Sequence, residues 1–224
     1  MITSLVKILA AAAALCGSVA SADEAWTPAD GDSLTFEVLR NGKPFGDHTV
    51  TFDHDGDKLT VKTDISLKVK VGPFTPFQYA HGSTETWRDG QLMTLSGRTR
   101  KDGDDLMVEA EIVGDALQID GSAFDGAAPL DLIPSSHWNK RQLNGEEILS
   151  TETGELLPVE VEYLGLETIE AANETIEAGK YLLKSDLDVL LWYDADGRWV
   201  KCAFEARGQK VEYVLKAADA SSEA

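Results

Sequence analysis

Residues 59–71 constrain the fold more than any other stretch of this chain. Leu59, Val61, Thr63, Ile65, Leu67, Val69 and Val71 share one parity, while Thr60, Lys62, Asp64, Ser66, Lys68 and Lys70 share the other. Strict period-two alternation makes a strand with one buried face and one wet face. At about 3.3 Å per residue such a strand reaches about 40 Å. That length suits a large curved sheet better than a compact sandwich.

The same alternation recurs at Leu34, Phe36 and Val38, and at Leu106, Val108, Ala110 and Ile112. It returns at Leu157, Val159, Val161 and Tyr163, and at Leu187, Val189, Leu191 and Tyr193. Val200, Cys202, Phe204 and Ala206 follow, then Val211, Tyr213 and Leu215. Asn41-Gly42, Asp55-Gly56, Asp89-Gly90, Asp102-Gly103 and Asp196-Gly197 punctuate these runs. Such dipeptides tolerate the positive φ of tight hairpin turns. The expected fold is all-β: a long, curved antiparallel meander, half-barrel or barrel-like, with one short helix or loop insertion. Residues 121–146 are that insertion, because Gly126, Pro129 and Pro134 interrupt the alternation. Ser135 or Ser136 would cap a short helix there, and the segment would join two groups of strands or plug one mouth of the sheet.

Composition limits the function classes. Twenty Lys+Arg stand against 39 Asp+Glu, a net charge of −19, which argues against nucleic acid and anionic membrane surfaces as partners. With 43% apolar residues the chain has the means to build a core. Lys7, the apolar run Ile8–Leu15 and the small residues Ala20-Ser21-Ala22 read as a secretory signal over residues 1–22. Residues 23–216 are then expected to form a single β domain and residues 217–224 a flexible tail. Cys202 would be the one cysteine left, so no intramolecular disulfide is expected. No later run is long enough to span a bilayer as a transmembrane segment.

Several residue groups invite a chemical reading. Asp53-His54-Asp55-Gly56-Asp57 begins like a calcium loop, but Lys58 stands where that loop needs its glycine, and a hairpin turn is the expectation. His137, between Ser136 and Trp138, lies in the irregular segment where functional residues tend to sit. A serine hydrolase would need a serine, a histidine and an acid converging in space. His81 shares parity with Phe77, Tyr79 and Trp87, and is expected to face inward and meet a cross-strand partner. Glu85, four residues along the strand, is too far away to be that partner. Phe74 and Phe77, in Gly-Pro-Phe-Thr-Pro-Phe, would sit at a kinked corner or at the rim of a cavity. Trp192 and Trp199 oppose the apolar parity of their strands and would cover a second, smaller core against Trp138. Cys202 alternates with Val200 and Phe204 as a buried apolar residue.

The run Tyr181-Leu182-Leu183-Lys184-Ser185-Asp186-Leu187 is followed by Leu191-Trp192-Tyr193-Asp194, Gly197-Arg198, Phe204 and Arg207-Gly208. With Ser136-His137-Trp138-Asn139, these residues resemble a family of exported bacterial proteins known as domain of unknown function 6134. The resemblance covers nearly all of the chain after the signal and implies a periplasmic location. It implies no activity. By fold analogy the chain is similar to periplasmic lipoprotein carriers whose half-barrels hold acyl chains, although it is far more acidic.

A long sheet with one apolar face must curl over that face or cover it with something else. The first functional reading is therefore a binding or carrier module for an apolar small molecule or lipid. The second is an interaction module for an envelope protein partner, with a self-filled core. The third is a hydrolase centred on His137. The candidate ligand-binding residues are Phe74, Phe77, Tyr79, His81, Trp87, His137, Trp138 and Asn139. The residue patterns assign no catalytic residue, no metal ligand and no cofactor.

Overall fold

The computed structural model describes residues 26–71 and 74–217. The segment read as an export signal, residues 1–22, lies outside the described residues. So do residues 218–224 of the expected tail and the side chain of Phe74.

Eight strands follow one another in the first part of the chain. They are β1 (Ser33–Arg40), β2 (Lys43–Asp55), β3 (Lys58–Val71), β4 (Phe74–Arg88), β5 (Gln91–Lys101), β6 (Asp104–Val113), β7 (Ala116–Gly121) and β8 (Asp125–Ala128). A long connection carries a 3-10 helix, Lys140–Asn144, and a small hairpin of β9 (Glu147–Leu149) and β10 (Leu156–Pro158). Five strands complete the chain: β11 (Glu160–Ala171), β12 (Glu174–Lys184), β13 (Val189–Tyr193), β14 (Trp199–Ala206) and β15 (Gln209–Leu215).

Thirteen of these strands form one antiparallel sheet in the order β11-β12-β13-β14-β15-β1-β2-β3-β4-β5-β6-β7-β8. Two meanders are thus sewn together where the last strand pairs with the first, Phe36 opposite Leu215 and Arg40 opposite Val211. Among the described residues the sheet does not close, and β11 and β8 are its edges.

The local chemistry explains the meander. Asn41 and Gly42 (φ 49° and 73°) close β1 on β2, and Asp89 and Gly90 (φ 50° and 73°) close β4 on β5. Consecutive positive φ angles are those of the hairpin turn whose twist matches the strands. On β3 the expected alternation holds among the described residues: Val61, Thr63 and Leu67 are buried, and Lys62, Asp64, Ser66 and Lys68 are exposed.

Because every second hairpin turns at the same end, the turns at 41–42, 102–103 and 207–208 share one rim. Asn41 joins two of them directly, its Nδ2 donating to Gln209 Oε1 at 2.7 Å and its Oδ1 accepting from the Lys210 amide at 2.9 Å. Arg207 Nη1 meets Asp102 Oδ2 at 3.2 Å across the same rim.

The half away from this rim is filled. Trp138, from the long connection, packs edge-on against Phe52 and Trp87, with ring centroids 5.5 and 5.6 Å away. Its Nε1 and that of Trp87 both donate to Glu85 Oε2, at 2.9 and 2.8 Å. Burying side chains of this size contributes roughly 2–3 kcal/mol each. The connection is therefore the plug of one half of the barrel, one of the two roles its sequence allowed.

Several expectations are corrected. The short helix begins at Lys140 and is capped by Asn139, whose Oδ1 accepts from the Arg141 amide at 3.1 Å; neither Ser135 nor Ser136 caps it. Residues 125–128, inside the expected insertion, extend the sheet as β8. Residues 157–163 are not one strand, because β10 ends at Pro158 and β11 starts at Glu160. Tyr163 is 56% exposed beside a bulge at Leu164. Leu187 precedes β13 and is 40% exposed.

Trp199 does not help to cover a second core. Val200 is an extra residue in the β13–β14 ladder, so Trp199 pairs with Tyr193 while Cys202 pairs with Leu191. A bulge of one residue inverts parity. It turns Trp199 into the main core, 4.1 Å from the Phe36 ring. Trp192 stays on the outer face, flanked by the Lys180 and Lys201 ammonium groups at 5.0 Å each.

Candidate functional site

The half of the barrel nearer the 41–42 rim is hollow. An inner chamber of about 420 Å³ lies beneath an outer chamber of about 560 Å³. Tyr79, Lys101, Glu152, Leu187, Phe204 and Tyr213 line both. Both volumes fall in the range of about 300–1,000 Å³ typical of small-molecule sites.

Close contact of the connection with the sheet sets the floor. A side chain at Gly97 on β5 would stand 2.3 Å from the Thr151 carbonyl oxygen, and one at Gly121 on β7 would stand 2.4 Å from that of Thr153. Glycine at both places lets the 150–154 loop lie directly on the strands and present Glu152 to the chambers. Glu152 Oε1 accepts from Tyr79 Oη at 2.8 Å, and its Oε2 lies 3.6 Å from Lys101 Nζ. This triad stands on the boundary between the two spaces.

The inner chamber has apolar walls, among them Ile65, Leu183 and Val189, and a polar end with three histidines. His81 Nδ1 lies 2.7 Å from Thr99 Oγ1, the expected cross-strand partner. His137 holds a left-handed backbone, φ 65°, which costs a non-glycine residue roughly 1–2 kcal/mol. A closed ring of hydrogen bonds maintains it. Tyr193 Oη donates to the His137 carbonyl at 2.9 Å, and Gln142 Nε2 donates to Tyr193 Oη at 2.8 Å. Gln142 Oε1 is left to accept from His137 Nδ1 at 3.0 Å. The proton is thereby placed on Nδ1, and Nε2 keeps its lone pair. Burial holds the ring below the usual histidine range, partly offset by the Gln142 contact.

His48 is 4% exposed and sits among the rings of Phe36, Trp199 and Tyr213, with centroids 6.0, 5.2 and 5.5 Å away. Among the described residues neither of its ring nitrogens has a hydrogen-bond partner, nor do Thr63 Oγ1 and Ser136 Oγ. All three residues line the inner chamber. Burial, then the fields of His137 and His81, bring the His48 pKa down to about 3. A buried donor or acceptor with no partner costs roughly 1–3 kcal/mol. Several such atoms facing one cavity can satisfy the polar groups of a bound molecule.

This arrangement does not assemble the machinery of a serine hydrolase. Among the described residues Ser136 Oγ bonds to no histidine, and His137 is oriented by an amide instead of a carboxylate. Glu85 carries a fully buried carboxyl that burial pushes above the usual range, opposed by Trp138, Ser136 and Trp87. The Ser136 hydroxyl favours the ionised form by its proximity, yet it stands outside hydrogen-bond geometry and Oε1 is unpaired. Cys202 is buried, and its thiol is pushed well above the usual range.

Of the residues singled out from sequence, Phe77 and Tyr79 line the outer chamber, and Tyr79, His81 and His137 line the inner one. Trp87, Trp138 and Asn139 do not. The two indoles fill the opposite half, and Asn139 caps the 3-10 helix. Sequence reasoning missed Arg40, Phe45, Lys101, Glu152 and Arg207. The signal that would have found the rim cations is the meander itself, which returns the residues flanking every second turn to one end.

Among solved structures, the chain is similar to the crystal structure of a beta-barrel-like protein of the domain of unknown function DUF1849 from Brucella abortus. The TM-score is 0.54 at 7% identity, covering 82% of this chain and 94% of that one. The likeness concerns the fold alone. Among curated proteins none matches the chain. No helix among the described residues is long and apolar enough to cross a membrane. The family model for DUF6134, a domain of unknown function, matches residues 36–216, and the chain belongs to that family.

Proposed function

We propose that the chain is an exported periplasmic binding or carrier module for an apolar or lipid-like ligand, with residues 23–216 as one domain. The observation that carries this reading is the hollow half of the barrel. Two adjoining chambers have apolar walls, and the inner one ends in buried polar atoms that have no partner among the described residues. An interior meant only to hold the fold together would be packed, as the half around Trp138 is.

Native mass spectrometry of the protein purified gently from the cells that make it, followed by solvent extraction, tests the proposal. The expected result is a stoichiometric apolar or amphiphilic molecule that leaves on denaturation. A clean apo mass, together with no binding of a lipophilic dye, overturns it.

The second reading, a protein-interaction module, is favoured by one observation. The free edge strand β11 carries Tyr163, Leu164 and Leu166 at 56, 43 and 64% exposure. An open edge with exposed apolar side chains is a template for another chain.

A further inference from the structure

The described lining of the outer chamber is net positive, against the acidity of the chain as a whole. In a chain of net charge −19, three of its described lining residues are cations, Arg40, Lys101 and Arg207, and the one acid among them, Glu152, is already engaged by Lys101 and Tyr79. The two arginines are held by aromatic faces. The Arg40 guanidinium lies 5.6 Å from the Phe45 ring, and that of Arg207 lies 6.0 Å from the Phe77 ring. The two rings are themselves in contact, with centroids 5.4 Å apart. Arg40 makes no ion pair among the described residues; Arg207 is paired with Asp102 and keeps 72% of its side chain exposed.

A guanidinium stacked on a ring presents an edge of N–H donors that matches a planar or tetrahedral anion; Arg207 already gives Nη1 to Asp102 and offers its other donors. Arg40 flanks the β1–β2 turn and Arg207 lies in the β14–β15 turn, so both stand on the rim. Val211 stands opposite Arg40 in the ladder, Phe204 stands opposite Val211, and Leu67 adds a further apolar side chain to the lining. The mouth thus sets cations beside aromatic and aliphatic side chains.

We propose that this mouth selects amphiphiles with an anionic head, a carboxylate, sulfate or phosphate, held by Arg40 and Arg207 with the tail in the outer chamber. The proposal rests on the binding reading above and names the chemistry of its ligand. The triad of Tyr79, Glu152 and Lys101 then meets the tail where the inner chamber begins.

The test compares dodecanoate, dodecan-1-ol and dodecyltrimethylammonium on the wild-type protein and on the double variant Arg40→Gln, Arg207→Gln, by displacement of a lipophilic fluorescent probe. One charge-assisted head-group contact is worth about tenfold in affinity or more. Dodecanoate is expected to bind the wild type at least about tenfold more tightly than the alcohol, with the cation weakest. The double variant is expected to lose that preference and keep its affinity for the alcohol, which also shows that it is folded. Equal affinity for acid and alcohol in the wild type, or an unchanged preference in the double variant, overturns the anionic head but leaves the binding module standing. Failure of all three probes to bind the wild type overturns both.

Discussion

Trp138 and Glu85, 53 residues apart in sequence, are joined by an indole-to-carboxylate hydrogen bond of 2.9 Å inside the barrel. With the Trp87 indole on the same oxygen, this contact pins the plug to β4. Glu85→Ala should cost roughly 2–5 kcal/mol, because it leaves a cavity and two indole donors without an acceptor. Glu85→Gln keeps an amide oxygen for both indoles and cannot ionise, so it never carries the cost of a buried carboxylate charge. It should be neutral or stabilising at pH 7. Urea denaturation of the two variants checks the contrast, and equal losses would mean that the carboxylate charge is what holds the plug.

Acid should weaken the fold through His48. Its pKa near 3 lies below the ordinary histidine value, so the unfolded chain binds its proton more readily than the folded one. The resulting stability is complete above pH about 6.5 and is lost as pH falls toward 3. Between pH 7 and 5 the loss from His48 alone is about 2 kcal/mol, and His81 and His137 shift in the same direction. Glu85 has the opposite sign. Its carboxyl is held above the usual range, so its cost to the folded state grows as pH rises beyond the unfolded value. His48→Phe completes an aromatic cluster and removes two unpaired nitrogens. Its unfolding midpoint should change less between pH 5 and 7 than that of the wild type, and an equal change would assign the acid sensitivity elsewhere.

Gly97 is a contact point rather than a hinge. An alanine methyl there would meet the Thr151 carbonyl oxygen at 2.3 Å and Val108 Cγ1 at 2.8 Å. Either the loop carrying Glu152 moves or the strand does, at roughly 1–3 kcal/mol. Gly82 on β4 is the control, since a methyl there would have the Thr63 carbonyl oxygen as its nearest neighbour, at an ordinary contact distance of 3.9 Å. Thermal melting should separate Gly97→Ala from Gly82→Ala by several degrees, and coincident melts would show that the loop yields at no cost.

The sheet was legible because side chains on a strand repeat every two residues. Val61, Thr63 and Leu67 announced a buried face, and Asn41-Gly42 and Asp89-Gly90 announced antiparallel turns. Reading failed where one extra residue inverted the parity. Trp199 looked outward until the bulge at Val200 turned it in, and the bulge at Leu164 ends the simple pattern near Tyr163. Nothing in the local sequence marks a bulge whose cause is the pairing of two strands. The inward residues of the site, Phe77, Tyr79 and His81, followed from parity alone. Arg40, Lys101 and Arg207 did not, because they come from three separate turns and meet only through the register of the whole meander.

The parity of β3 is open to a sharper test than unfolding alone. Val61 is fully buried in the core, whereas Leu67, 6% exposed and on the same face, lines the outer chamber. An aspartate at position 61 would bury an unpaired charge, so Val61→Asp should abolish the cooperative transition. At position 67 the carboxylate can reach the chamber, so Leu67→Asp should fold with a smaller loss than the sequence pattern alone implies. Its charge would then stand in the space proposed for the ligand and should weaken dodecanoate more than dodecan-1-ol. Circular dichroism with melting reads the first effect and probe displacement the second. If both variants unfold alike, Leu67 belongs to the packed core and the chamber is narrower than its lining implies.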